Sequence, residues 1–294
     1  MKCIKNGRIF VLRIDVHELA DKINKTICPQ KFNKKQVTMM NIEAIKRHLE
    51  EYKKETLGIK DNGIWWKNQQ EYPHILPFSC RYKNIIDKGF AEDLKELIKK
   101  DALHLGFSHL NSSQALALNL FGPLVIKNKL SLINDQISET KDNKGLFEYI
   151  ESANEGTNFD FYIQNQECKF YFEVKYTEKE FGKAKKDFSH HQKYCDFYES
   201  RLREIVEITE DDFYKEYQLW RNIIYAKNGF VFFVLPEFRV DLIKKVEKAK
   251  GSIFNEDLKR HIFVLTINDI VSKCLEINEL KEHYTEFKEK YLNI

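Results

Sequence analysis

The chain has 294 residues, 43% hydrophobic and 32% charged, with a formal net charge of +3 at pH 7. That length affords a sizeable core in one large domain or two modest ones, while 11 Gly and 5 Pro leave little room for flexible linkers or disorder. The charge neither demands nucleic acid nor suits a strongly acidic partner-binding surface. Six scattered cysteines without a CxxC pair argue against a zinc site or disulfide framework. No signal-peptide pattern and no apolar run of membrane-spanning length is present, so a cytoplasmic protein in a reducing compartment is expected.

The stretch from Arg8 to Ile14 predicts a short strand. Residues 36–57 carry Ile42, Ile45, Leu49 and Tyr52 as an apolar stripe and predict a helix. Residues 58–77 read as a loop whose Trp65, Trp66 and Tyr72 pack on the main domain, and 88–104 as another amphipathic helix. In LNSSQALALNLFGPL (110–124), Ser112 or Ser113 caps a short helix that is apolar nearly all round, and Gly122-Pro123 stops it. Three strands follow, at 147–150, 158–163 and 169–177. Residues 178–212 are highly charged and read as an insertion with one or two helices. A long helix over 212–227 leads to two apolar runs, 230–235 and 261–267, of the kind buried on both faces. A helix over 239–250 separates them, and one or two helices follow over 268–291. This order predicts an α/β domain over 111–294 with a mixed sheet flanked by helices. A mostly helical region over 1–110 is expected to pack on it.

The chemistry concentrates in the three strands. In FYFEVKY, Phe170, Phe172, Val174 and Tyr176 share one face and Glu173 and Lys175 the other. In the preceding run Phe159, Phe161 and Ile163 point one way and Asp160 and Tyr162 the other. Pairing of these strands would gather two carboxylates and an ammonium above the sheet. Two carboxylates with a backbone carbonyl make a hard, oxygen-only site suited to Mg²⁺, for which Mn²⁺ can substitute. Such an ion offsets charge on a scissile phosphate and lowers the pKa of a water. A Lys on the same face can orient or deprotonate that water. The spacing D-x12-E-x-K is weak alone, because Glu and Lys are abundant here and the plainer reading is a solvated strand face. Three charged groups kept together on a buried hairpin weigh against that reading.

With SSQALALNLFGPL upstream and YQLWRNIIYA downstream, these residues resemble the PD-(D/E)XK nuclease superfamily, whose core runs helix, three-strand meander, helix, strand. HILP, LNSSQALALNLFGPL, GTNFDFYI, FEVKYTEKEFG and QLWRNIIYA together resemble a little-characterised prokaryotic branch of it. The resemblance covers roughly Tyr72 to Leu235, and it lacks the superfamily's proline, since Phe159 precedes Asp160. It implies a restriction-endonuclease-like fold and Mg²⁺-dependent phosphodiester hydrolysis, with a DNA endonuclease of restriction or defence type as the expected activity. It further implies that Asp160 and Glu173 are metal ligands, that Val174 lends its carbonyl and that Lys175 serves the water.

Members of the superfamily often add an upstream acidic residue. Glu148 is the candidate here, both catalytic and metal-ligating; Glu151 and Glu155 are rivals, and a simple edge-strand charge is the plainer reading of Glu148. Gln114, Gln218 and Arg221 are candidate supporting residues, against a structural bond for Gln114 and a surface ion pair for Arg221. Lys183, Lys185 and Lys186 in KAKKDFSHHQKY are candidate nucleic-acid contacts, against a solvated charged insertion. His190-His191 is not expected to hold a metal, since adjacent residues seldom point at one ion. DNA is the expected partner, with a two-fold homodimer if both strands are cut. The alternatives are a catalytically silent nucleic-acid-binding module of the same fold and an RNA-cleaving or repair-type nuclease.

Overall fold

The computed structural model describes residues 42–98, 103–140, 142–166 and 168–294, and the backbone alone of Lys2–Lys5, Arg8–Val11 and 34–41. Contacts divide the chain between Val37 and Thr38. In the first unit, β1 (Lys2–Lys5) and β2 (Arg8–Val11) form an antiparallel hairpin. The rest of the strand expected up to Ile14 lies outside the described residues. Helix α1 spans Lys34–Glu55, and a small hairpin, β3 (Gly63–Trp65) with β4 (Gln70–Tyr72), stands in the segment read as loop. The helix expected over 88–104 is described as α2, Ala91–Leu97; residues 99–102 lie outside the described set.

Helix α3 (Ser113–Ile126) is buried from Gln114 to Leu124, as its lack of a polar face demands, and Ser112 caps it by accepting from Ala115 N–H. It does not stop at Gly122-Pro123. Proline has no N–H to give the carbonyl four residues back, so a continuing helix leaves Asn119 C=O open. His283 Nε2 donates to that carbonyl at 2.8 Å, and Tyr284 OH donates to Leu120 C=O at 2.5 Å. A tertiary donor replaces the missing helical one, and the helix runs on.

The central sheet has five strands in the order β5 (Lys144–Ile150), β6 (Asn158–Gln164), β7 (Lys169–Val174), β8 (Phe230–Leu235) and β9 (Ile262–Thr266). The first three form an antiparallel meander, and β8 and β9 add in parallel. The parallel steps are made by crossovers containing α4 (Phe188–Lys193), a π-helical turn at Tyr194–Tyr198, α5 (Glu199–Arg203), α6 (Glu210–Lys215) and α7 (Tyr217–Ile223), then α8 (Val240–Gly251) and α9 (Glu256–Lys259). Helices α10 (Ile267–Leu275) and α11 (Asn278–Tyr291) follow. The architecture is α/β, a mixed sheet between helices, as a restriction-endonuclease-like fold requires. No described helix is long and apolar enough to cross a membrane.

A row of phenylalanines fixes the sheet's register. Phe147, Phe161, Phe172, Phe232 and Phe263 are direct partners across all five strands. Successive ring centroids lie 4.9, 5.4, 4.8 and 5.0 Å apart, and Phe121 of α3 stacks on Phe161 at 4.5 Å. Gly145 makes room for this packing, since a Cβ there would lie 2.6 Å from Val125 Cγ2 and 2.9 Å from Phe161 Cζ. A one-residue slip would turn the whole set to the other face.

Two cores cover the two faces. The phenylalanine row, α3, α10 and α11 share the first with Ile45, Leu49 and Leu94. Tyr162, Tyr171 and Phe233 share the second with Leu219, Trp220, Leu242 and Val246. The charged segment 178–212 is part of that second core: Phe181, Tyr194, Tyr198, Leu202 and Val206 are buried in it. Tyr194, Tyr198, Leu202 and Val206 recur every fourth residue and give the segment an apolar stripe that its charges obscure. The expected helix over 212–227 breaks at Glu216, whose φ of −126° and ψ of 44° leave the helical region.

Phe172 holds the centre of the row and is fully buried. Phe172→Ala is expected to lower the free energy of unfolding by about 3–5 kcal/mol in urea titrations, against under about 1.5 kcal/mol for Phe172→Leu with repacking; equal losses would show that the row does not carry register.

Candidate active site

One residue beyond the phenylalanine row, in the same direction on each strand, come Glu148 on β5, Asp160 on β6 and Glu173 on β7. Glu148 falls between the pairs Phe147–Phe161 and Tyr149–Phe159, which places it opposite Asp160. The β6–β7 pairing ends at Phe161–Phe172, immediately before Asp160 and Glu173. The strands part there, and the Asp160 carboxylate closes the gap by accepting from Val174 N–H at 2.7 Å. The structure thus shows Val174 giving its N–H to Asp160; the carbonyl expected of it carries no described contact at this site.

The alternation of side chains slips at this row. Phe147 and Phe161 pack in the first core, whereas Tyr149 and Phe159, two residues away on their strands, pack in the second. A regular strand would keep each pair on one face, so Phe159 does not share a face with Phe161 as its spacing predicts. Glu148 carries the change, with φ at +51°, in the left-handed region that a non-glycine residue enters at a cost. Along β7 the alternation holds: Phe170, Phe172, Val174 and Tyr176 all face the first core.

Each carboxylate is held by named donors. Glu173 Oε1 accepts from Gln218 Nε2 at 2.5 Å and pairs with Lys175 Nζ at 2.7 Å, and Oε2 accepts from Asn222 Nδ2 at 2.7 Å. The break at Glu216 starts α7 so that Gln218 and Asn222, four residues apart, face Glu173 together. Glu148 Oε1 accepts from Gln114 Nε2 at 2.9 Å; its Oε2 accepts from Asn158 Nδ2 at 2.5 Å and lies 3.0 Å from His104 Nε2. Beyond Lys175 the chain is tied down by Arg239, fully buried, which donates to Tyr176 C=O and pairs with Asp241. Asn111 also donates to Thr177 Oγ1 at 2.7 Å.

The charge is concentrated. Burial and then the nearby Glu173 carboxylate push the Asp160 pKa well above the usual carboxylate range, and Glu148 adds to the effect. Burial alone would lower the Lys175 pKa, but the carboxylates of Glu173, Glu178 and Asp160 outweigh it and raise it. The hydrogen bond to Glu148 raises His104 against its own partial burial.

Of the other residues singled out by sequence, Glu151 takes Lys169 and Tyr171, and Glu155 takes Thr157, Arg201 and Tyr225; neither joins the row. Arg221 stacks on Tyr217, 5.3 Å from the ring centroid, and no ion pair joins it to a described carboxylate. Gly182 C=O accepts from Gln218 N–H, so the basic tract leaves directly from the site's edge. Within it Lys183 pairs with Glu180 and Lys186 with Asp211, and Lys185 is exposed. His190 and His191 go separately to Asp187 and Glu210. His104, Asn158 and Asn222 were not foreseen; only Asn222, one turn after Gln218, left a spacing to read.

The sequence profile of REase-ARP, restriction endonucleases associating with ARP, matches residues 46–292. The chain belongs to this family. No curated protein and no solved structure gave a match. The match to REase-ARP spans the α3 helix, the meander, the parallel strands and every residue of the carboxylate row, and it supports a nuclease of restriction type.

Strain at Glu148 predicts an asymmetry between two variants that both remove the carboxylate. Glu148→Gly is expected to be more stable than Glu148→Ala by roughly 1–2 kcal/mol, the cost of left-handed backbone for a residue with a Cβ. Equilibrium denaturation of the pair reads it, and equal stabilities would refute the strained assignment.

Proposed function

We propose that this REase-ARP member is a Mg²⁺-dependent endonuclease that hydrolyses phosphodiester bonds in DNA, with Glu148, Asp160, Glu173 and Lys175 as its active centre. The observation that carries the reading is the row itself: three carboxylates on adjacent strands, with one ammonium 2.7 Å from the last of them. Among the described residues no group of three His, Cys, Asp or Glu is already gathered as a metal cluster. The donor set nonetheless fits a hard divalent cation. It is all oxygen and anionic, and counted by lone pairs each carboxylate retains capacity. Glu148 Oε1 and Glu173 Oε2 each accept one bond, and Asp160 accepts through Oδ2 alone.

A bound Mg²⁺ would offset phosphate charge and lower the pKa of an attacking water. The chain's own residues do the rest. Asp160 and Glu173 would hold the ion, with Glu148 as the third carboxylate toward it. Lys175, 2.7 Å from Glu173, would donate to the phosphate oxygens as the water's P–O bond forms and the ester P–O bond breaks, the water giving its proton to solvent and the leaving oxygen taking one from solvent. Gln218 and Asn222 fix the Glu173 carboxylate so that it need not reorganise. Lys183, Lys185 and Lys186, leaving the site at Gly182, would follow the phosphate backbone.

The test is cleavage of plasmid, single-stranded DNA and RNA with Mg²⁺ or Mn²⁺, beside Asp160→Ala and Lys175→Ala. Cleavage of DNA is expected, abolished by chelator and lowered on the order of 10²-fold or more by either change. Activity that survives both substitutions would sink the assignment. Cleavage confined to RNA would move the substrate class, and metal-dependent binding without cleavage would leave a binding module.

A further inference from the structure

We infer that His104 is a positioning residue for the third carboxylate, fixing Glu148 so that one defined oxygen faces the ion; the inference rests on the metal-dependent reading above. Glu148 is weakly secured by backbone. It sits at a left-handed φ, at the slip in the sheet, where no regular ladder pair holds it. What holds it is a closed set of side-chain bonds. Gln114, 2% exposed at the start of α3, accepts from His104 N–H through Oε1 at 2.9 Å and donates to Glu148 through Nε2 at 2.9 Å. The His104 ring returns from that anchored backbone to Glu148 Oε2 at 3.0 Å, where Asn158 also donates. Backbone, amide and imidazole of two residues therefore clasp one carboxylate.

The lone-pair count gives the clasp a direction. Asn158 donates to Glu148 Oε2 and the His104 imidazole lies 3.0 Å from that same oxygen, while Gln114 alone donates to Oε1. Oε1 is thus the oxygen left with capacity for a cation. Without His104, Oε2 regains an open site, and the carboxylate can rotate or present either oxygen. An outer partner of this kind typically sets metal affinity by about 10–100-fold. His104 suits the role because its side chain is 53% exposed beside a carboxylate that is 6% exposed. It reaches the site from the solvent side and carries little of the core, so its loss is readable without collapse of the fold.

The experiment measures Mn²⁺ binding to the full chain without DNA, by calorimetry and by the spectrum of free Mn²⁺, for wild type, His104→Ala, His104→Gln and Asp160→Ala. Cleavage is then titrated with Mn²⁺. His104→Ala is expected to weaken Mn²⁺ binding about tenfold and to raise the Mn²⁺ needed for half-maximal cleavage by the same factor. The rate at saturating Mn²⁺ and the melting temperature should stay near wild type. His104→Gln, whose amide can still donate to Oε2, should restore most of the affinity. If wild type binds Mn²⁺, Asp160→Ala loses it and His104→Ala binds like wild type, the positioning role is refuted and the active-site reading stands. If wild type binds no Mn²⁺, both fall. A His104→Ala chain with a lowered melting temperature and no rescue by Gln would also refute it, because that is the behaviour of a merely structural residue.

Discussion

The phenylalanine row is the constraint on which the site depends. Five rings, one per strand, stand in direct register across the sheet. Each buries a large apolar area, and none can move by one residue without carrying its strand to the wrong face. Because Glu148, Asp160 and Glu173 each follow one step beyond a ring of that row, hydrophobic packing places the three acids side by side. Apolar burial thereby supplies the alignment that three like charges would oppose on their own.

That opposition is real, and the surroundings answer it. Lys175 supplies the only ammonium in contact with the described row, and amide donors from Gln114, Asn158, Gln218 and Asn222 spread the remaining charge. Burial first, and the neighbouring Glu173 carboxylate second, still raise the pKa of Asp160. Folding has thus set three acidic side chains on adjacent strands beside one ammonium.

The sheet and the nearness of Asp160, Glu173 and Lys175 could be read from sequence because period-two patterning survives in FYFEVKY and because helix, meander, helix and strand come in a telling order. Glu148 was harder, since its position depends on a backbone slip that no residue type announces; Glu151 and Glu155 were equally acidic and close by. His104 and Asn158 reach the site through tertiary placement alone. The same limit explains Pro123. Local chemistry marks it as a stop, but donors from 160 residues further on satisfy the carbonyl that it leaves bare. The charged segment 178–212 misled for the opposite reason, its many surface charges hiding a stripe of buried aromatics.

Those distant donors bear on how the protein is made. Helix α3 carries Gln114, which touches Glu148, yet its Asn119 carbonyl is completed only by His283, 164 residues later. A ribosome that has synthesised the whole strand meander has therefore not yet supplied the group that lets α3 pass through its proline in a dry core. Until α11 emerges and docks, that carbonyl must keep water, and the helix beside the acids stays unfinished. The helix that carries Gln114 is thus completed by a donor made 164 residues after the carbonyl it serves, and a nascent chain that stops short of His283 leaves that helix open.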